Sequence, residues 1–301
     1  MDARLDSQNS QAYADLIDKY DTWLFDCDGV LWRGDTVIDG IEDVLELLRK
    51  KNKHILFVTN NATKSRKNYK KKFDKLGIQA EVGEVFGSAY ATAVYISTIM
   101  KLPKDKKVFV LGMSGLEEEL AEEGISYIGG TDSSYNTLTP PEEKIVPDPS
   151  VAAVVVGLDM AINYHKLSVA FRYLHSNAAT AFIATNADST YPSDKGLLPG
   201  AGAVWSPLTT ALGPSRPPTV IGKPNVHMMD AIKAKHAIDP ARAIMVGDRL
   251  NTDIAFGQAG GLATLLVLTG ITSEDDLVSS AIVPDYVTSS LGDFRAAAKS
   301  T

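Results

Sequence analysis

Short runs of β-branched and aromatic residues alternate with helix-period segments along almost the whole chain, and this alternation restricts the fold more than any other feature. Successive strands that are separated by helices pair in parallel, because each crossover must pass over a face of the sheet. Strands are expected at residues 23–26, 54–58, 108–111, 152–156, 181–184, 220–221, 243–246 and 264–268. Between the first two, Ile41, Val44, Leu45 and Leu48 recur at helical spacing over residues 41–51. The fold class is therefore α/β with a parallel sheet covered by helices. Proline-rich residues 139–149 and 212–218 interrupt the rhythm as loops, and the second is the better domain boundary. A chain of 301 residues has room for two domains.

Charge and cysteine content narrow the function. The 37 acidic residues outnumber the 30 basic ones, giving a formal charge of -7. A general nucleic-acid binder needs a basic surface, so no nucleic-acid partner is expected. One cysteine precludes an internal disulfide framework and fits a reducing compartment, the cytoplasm by default. Residues 1–20 lack the apolar core of a secretory leader, and the apolar run 151–158 is far shorter than the roughly 20 residues that span a bilayer. No membrane association is expected.

Four strand ends carry chemically useful groups. Asp26-Cys27-Asp28-Gly29 closes the first strand with two carboxylates one residue apart. A calcium loop that opened this way would need glycine at its sixth position and an acid at its twelfth, where Leu31 and Val37 stand. Thr59-Asn60-Asn61 ends the second strand with a hydroxyl and following amides that can hold phosphate oxygens. Gly222-Lys223-Pro224 delivers a lysine after residues 220–221, with Pro224 expected in the first turn of a helix. Gly247-Asp248 closes a later strand, and Asp253 follows five residues on.

Each segment alone has an ordinary structural explanation as turn, cap or surface lysine. In open α/β sheets, however, sites form at the carboxyl ends of strands, where segments remote in sequence meet. Paired acids, an oxygen-rich set for a hard cation, a phosphate-holding hydroxyl and a neutralising lysine together point to phosphoryl transfer.

These segments resemble the haloacid dehalogenase superfamily of phosphatases, whose four signature motifs occur here in order, and within it the 4-nitrophenylphosphatase, phosphoglycolate phosphatase and pyridoxal phosphatase branch. The resemblance implies a Rossmann-like core with an inserted α/β cap: residues 1–86 and 217–301 as core, and 87–216 as cap. It implies Asp26 as nucleophile and Asp28 as the acid and base, with Gly29 and Asp253 in support. Mg2+ would be held by Asp26, Asp28 (through its backbone carbonyl) and Asp248. Thr59, Asn60, Asn61 and Lys223 would hold the phosphoryl group of a small phosphorylated metabolite. A homodimer through the cap is also implied.

Within the cap, Asn186, Asp188 and Tyr191 form a polar loop after a strand, a candidate for substrate choice. Tyr191 stands where pyridoxal phosphatases are expected to carry histidine, which favours 2-phosphoglycolate over pyridoxal 5′-phosphate or a broad sugar-phosphate range. A catalytically silent phosphometabolite-binding protein is the rival from another class. Cys27 is expected to be a small buried hydrophobe, with redox sensitivity as the alternative. Of the basic helix at 64–75, Tyr69, Phe73 and Leu76 form the core stripe, and its cations either face solvent or border the site.

Overall fold

Trp23, Leu24 and Phe25 are all fully buried, so their strand, Thr22–Phe25, offers no polar face to water and must lie inside a sheet covered on both sides. The computed structural model, which describes residues 3–6, 9–137, 145–193 and 196–299, places it there. A seven-stranded sheet runs in the order Ala3–Arg4, Tyr286–Thr288, Ala263–Val267, Ala243–Gly247, Thr22–Phe25, His54–Thr59 and Val85–Gly87, and every pairing is parallel.

Strand alternation sends side chains to two apolar layers. Trp23, Phe25 and Phe57 join Tyr13, Leu48, Phe73 and Phe294 on one face. Leu24, Leu56 and Val58 join Phe86, Met228 and Phe256 on the other. Helix Ile41–Lys50 supplies Ile41, Val44, Leu45 and Leu48 to the first layer, as its spacing predicts. The basic helix is Arg66–Lys75, capped by Ser65, with Tyr69 and Phe73 buried.

A second parallel sheet of five strands runs Thr219–Val220, Ala181–Ala184, Val151–Val156, Lys107–Leu111 and Ser126–Gly129. Helices Tyr164–Ser176 and Ala201–Leu212 cover one of its faces. Its other face contributes Val108, Val110, Ala153 and Val155 to the layer that holds Leu24 and Phe86. Helix Ser88–Val94, buried along its length, packs between Ser114–Glu122 and Val226–Lys235. An antiparallel hairpin, Thr190–Ser193 with Gly196–Pro199, projects from the second sheet.

Two expectations are corrected. The boundary at 216/217 falls too early, because Thr219–Val220 pairs with Ala181–Ala184 and belongs to the second sheet. Pro224 does not open a helix: it follows a cis peptide, and the helix Val226–Lys235 starts after the cap residue Asn225. Of the loop expected at 139–149, residues 139–144 lie outside the described residues. Among the described residues, no helix is long and apolar enough to cross a membrane.

Candidate active site

The strand register brings three of the four sequence motifs level. Phe25 is paired with Phe57 on one side and Val246 on the other, and the Asp26 amide donates to the Val246 carbonyl at 2.9 Å. Asp26, Thr59 and Asp248 therefore emerge at one edge of one sheet. The fourth motif arrives from the second sheet. Ile221 and Gly222 continue the pairing of that sheet by donating to the carbonyls of Ala184 and Thr185, and Lys223 then reaches across.

The Lys223 ammonium has three protons and uses all of them. Nζ donates to Asp26 Oδ1 at 2.7 Å and to the Val58 carbonyl at 2.7 Å, and lies 2.8 Å from Asp253 Oδ1. Lys223 is 3% exposed, Asp253 1% and Asp248 2%, so this is a desolvated charge cluster. Burial by itself lowers a lysine pKa, but Asp253 and Asp26 more than offset it and hold Lys223 charged.

One lysine cannot neutralise three acids. Carboxylate oxygens of Asp26, Asp248 and Asp253 all lie within 4.8 Å of one another. Burial pushes Asp248 up to about 7, reinforced by the charge of Asp253 and opposed by the Ile271 amide and Lys223. Burial also raises Asp26 well above the usual carboxylate range; Lys223 opposes the shift, and Asp253 and Asp248 add to it. Asp253 is fully engaged, Oδ1 by Lys223 and Oδ2 by the Arg249 amide at 3.1 Å. Asp248 Oδ2 accepts from the Ile271 amide at 2.7 Å, whereas its Oδ1 is buried with no donor. An oxygen-seeking divalent cation fits both the surplus negative charge and that orphaned oxygen.

Gly29 is required by this crowding. Its φ is +84°, and a Cβ there would stand 2.6 Å from Asp248 Oδ2.

Asp28 is placed differently from Asp26. Its side chain is 41% exposed, its Oδ1 accepts from Trp32 Nε1 at 2.8 Å, and Lys72 lies 3.7 Å away. It thus stands at the mouth of a cleft of ≈ 370 Å³ while Asp26 lies at the base. Cys27 between them is fully buried in the apolar layer, matching the expected small hydrophobe.

Thr59, Asn60, Asn61, Lys223, Asn186, Asp188, Tyr191 and Asp253 also line the cleft. Thr59 Oγ1 lies 3.4 Å from the Tyr69 hydroxyl and accepts from the Asn61 amide at 3.3 Å. Asn61 Oδ1 accepts from the amide and hydroxyl of Thr63, so its carboxamide oxygen shapes the turn. Asn60 Nδ2 donates to the Lys223 carbonyl at 2.9 Å and to Asp188 Oδ2 at 3.0 Å, and Asn186 Nδ2 donates to the same Asp188 oxygen at 2.7 Å. Asp188 thereby joins the second-sheet loop to the edge of the first sheet.

With the geometry in view, comparison with known proteins identifies the family. Residues 23–126 match the haloacid dehalogenase-like hydrolase family, and residues 220–294 match a second group described as HAD-hydrolase-like. A 4-nitrophenylphosphatase of Schizosaccharomyces pombe is 48% identical over 284 residues, covering 93% of this chain and 94% of the relative. The chain belongs to the haloacid dehalogenase-like hydrolases.

A chloroplastic phosphoglycolate phosphatase of Arabidopsis thaliana is 44% identical and covers 93% of this chain and 77% of its own length. The solved glycerol phosphate phosphatase of Mycobacterium tuberculosis, in complex with magnesium, superposes with a TM-score of 0.77 at 30% identity, over 93% of this chain and 77% of that one. The hydrolase has the α/β core of its family and relatives that are phosphatases.

Some cleft residues of this hydrolase carry no signal in the sequence. Leu158 and Met160 line the cleft from the turn after Val151–Val156. That turn is held by the buried pair Lys166 Nζ to Asp159 Oδ2 at 2.8 Å. Among the cations of the basic helix, Lys72 lines the cleft, with its ammonium 4.3 Å from the Trp32 ring, whereas Lys70 pairs with Asp74 and Lys75 with Asp35, a residue of the cleft wall. Arg249 also lines the cleft; in the sequence it stands only as the neighbour of Asp248, with no role assigned.

Proposed function

We propose that this chain is a Mg2+-dependent phosphatase that hydrolyses small phosphomonoesters, with 2-phosphoglycolate as the preferred natural type and 4-nitrophenyl phosphate as an artificial substrate. The observation that carries this reading is the Lys223 ammonium, shared between Asp26 and Asp253 at the base of the cleft. It fixes one oxygen of Asp26 and supplies positive charge where a phosphoryl group would sit.

In this reading an Asp26 oxygen attacks phosphorus, the bond from phosphorus to the ester oxygen breaks, and Asp28 gives its proton to the departing alkoxide. Asp28 then takes a proton from the water that attacks the aspartyl-phosphate, which releases phosphate and restores Asp26. Its exposed position, steadied by Trp32, suits a group that meets leaving group and water in turn. Thr59, Asn60 and Asn61 orient the phosphoryl oxygens, and Lys223, whose protons are engaged, acts on them through its charge. Asp26, Asp248 and the backbone carbonyl of Asp28 would hold Mg2+, with Asp253 in support. When bound, the ion neutralises phosphoryl charge.

The second sheet, from about residue 87 to 220, acts in this reading as a cap that limits water at the cleft and presents Asn186, Asp188 and Tyr191 to the organic part of the substrate. The relative's name as a phosphoglycolate phosphatase supports the choice of substrate.

The test is phosphate release from 4-nitrophenyl phosphate, 2-phosphoglycolate, pyridoxal 5′-phosphate and glycerol 3-phosphate, with and without magnesium. Asp26→Asn should lower turnover by roughly 10⁴-fold or more while the circular dichroism spectrum stays native. Wild-type rates in that variant, or full activity after chelation, would refute the assignment.

A further inference from the structure

Three cations line the cleft, and two already have carboxylate partners. Lys223 is shared by Asp26 and Asp253, and Lys72 stands 3.7 Å from Asp28 over the Trp32 ring. Arg249 differs. Among the described residues its guanidinium has no ion pair and no hydrogen bond, and Nε is buried with no acceptor. An arginine without an anion in a cleft that holds several carboxylates is an unfilled valence of the site, because the guanidinium presents paired donors matched to a planar oxyanion.

Its position is set, not incidental. The backbone amide of Arg249 donates to Asp253 Oδ2, and the other oxygen of that carboxylate pairs with Lys223. Arg249 therefore starts from the phosphoryl end of the cleft. A second anion only a few bonds from phosphorus would lie at this end of the cleft, which Arg249 lines. A free phosphomonoester with a neutral organic part has no such group; a short phosphorylated hydroxy acid has its carboxylate one carbon from the ester oxygen.

We propose that Arg249 receives the carboxylate of a short 2-phosphorylated hydroxy acid and is the residue that sets the preference for acids over neutral phosphomonoesters. The inference rests on the phosphatase reading and deepens it: the metal and Lys223 serve the phosphoryl group, and Arg249 serves the second anion. Arg249 acts on substrate affinity and takes no part in bond making.

The test measures kcat/KM with magnesium for 2-phosphoglycolate and 4-nitrophenyl phosphate in the wild type, Arg249→Gln and Arg249→Lys. In Arg249→Gln the ratio of the first to the second should fall at least about tenfold, as expected for loss of a charge-assisted hydrogen bond. The loss should enter through KM, and Arg249→Lys, which keeps the charge without the fork, should fall between. An unchanged ratio, or a loss confined to kcat, overturns the role of Arg249. A wild type that hydrolyses 4-nitrophenyl phosphate but shows no preference for the acid overturns the substrate reading itself, and is seen without any variant.

Discussion

The carboxyl edge of the seven-stranded sheet and the loop that follows Ala181–Ala184 face the same cleft, yet they are held in different ways. At the edge, Lys223, Asp26 and Asp253 bind one another by charge, out of water, with every proton of the lysine assigned. The loop has no cation in it: two amide hydrogen bonds converge on one Asp188 oxygen, the Trp205 indole and the Gly202 amide donate to the carbonyls of Asn186 and Asp188, and Tyr191 lies half-buried on the hairpin that follows. A buried charge network tolerates no member's loss, because each remaining ion would be left unpaired in a poorly polarisable interior. A loop held by hydrogen bonds without a buried cation loses less with any one of them. Chemistry kept at the edge, with the loop left free to vary beside it, is the division that such a difference permits.

The sharpest way to break this comparison is to cut both networks. Lys223→Met leaves Asp26 and Asp253 without their shared cation and should lower the unfolding free energy by about 3–5 kcal/mol, read by urea denaturation, with activity lost. Asp188→Ala removes the acceptor of two amides and should cost about 1–3 kcal/mol in the same assay. If the two variants lose equal stability, the distinction between edge and loop fails.

A pH series without added metal sharpens the account of the edge. Burial pushes the Asp248 carboxyl up to about 7, above the ordinary 3.8 of an aspartate, and raises Asp26 as well. A carboxyl whose folded pKa lies above its unfolded one binds more protons in the fold, so its stabilising effect is complete below the unfolded value and is lost as pH rises. The thermal midpoint of metal-free protein should therefore fall as pH rises from about 4 to about 7, the interval between the ordinary and the folded value of Asp248. Added magnesium should restore more at pH 8 than at pH 5, since the ion competes with the same protons. Equal magnesium-induced shifts at both pH values would argue against this carboxylate set as the ligand.

The smallest expected effect belongs to the loop. Tyr191→Ala should change the rank order of phosphomonoester substrates by a few fold, while the magnesium concentration for half-maximal activity stays the same. An unaltered rank order would remove Tyr191 from substrate choice.

How much of this was legible in the sequence follows from the same physics. Strands such as His54–Thr59 and Ala243–Gly247 are apolar runs that end in Thr59 and Gly247-Asp248, so both the sheet and the chemistry at its edge could be read. Val85–Gly87 and Tyr286–Thr288 are three residues each, too short to establish a period. The hairpin is masked by Pro192 and Pro199, which argue against a strand unless it lies at an edge. Lys72 could not be told from its cationic neighbours, because only the packing of Tyr69 and Phe73 decides which face of that helix turns to the cleft. Arg249 was visible as a neighbour of Asp248, but the direction of its side chain depends on the contact of its amide with Asp253.

Lys223 also has a consequence for how the chain can be divided. It joins Asp26, from the first tenth of the sequence, to Asp253, and it does so from the far side of the whole second sheet. If the chain were made as two polypeptides separated within the 213–218 loop, one fragment would carry Asp26 and Thr59 and the other Lys223, Asp248 and Asp253. Neither could assemble the cluster alone, so phosphatase activity would report reassociation of the two pieces, with each silent by itself.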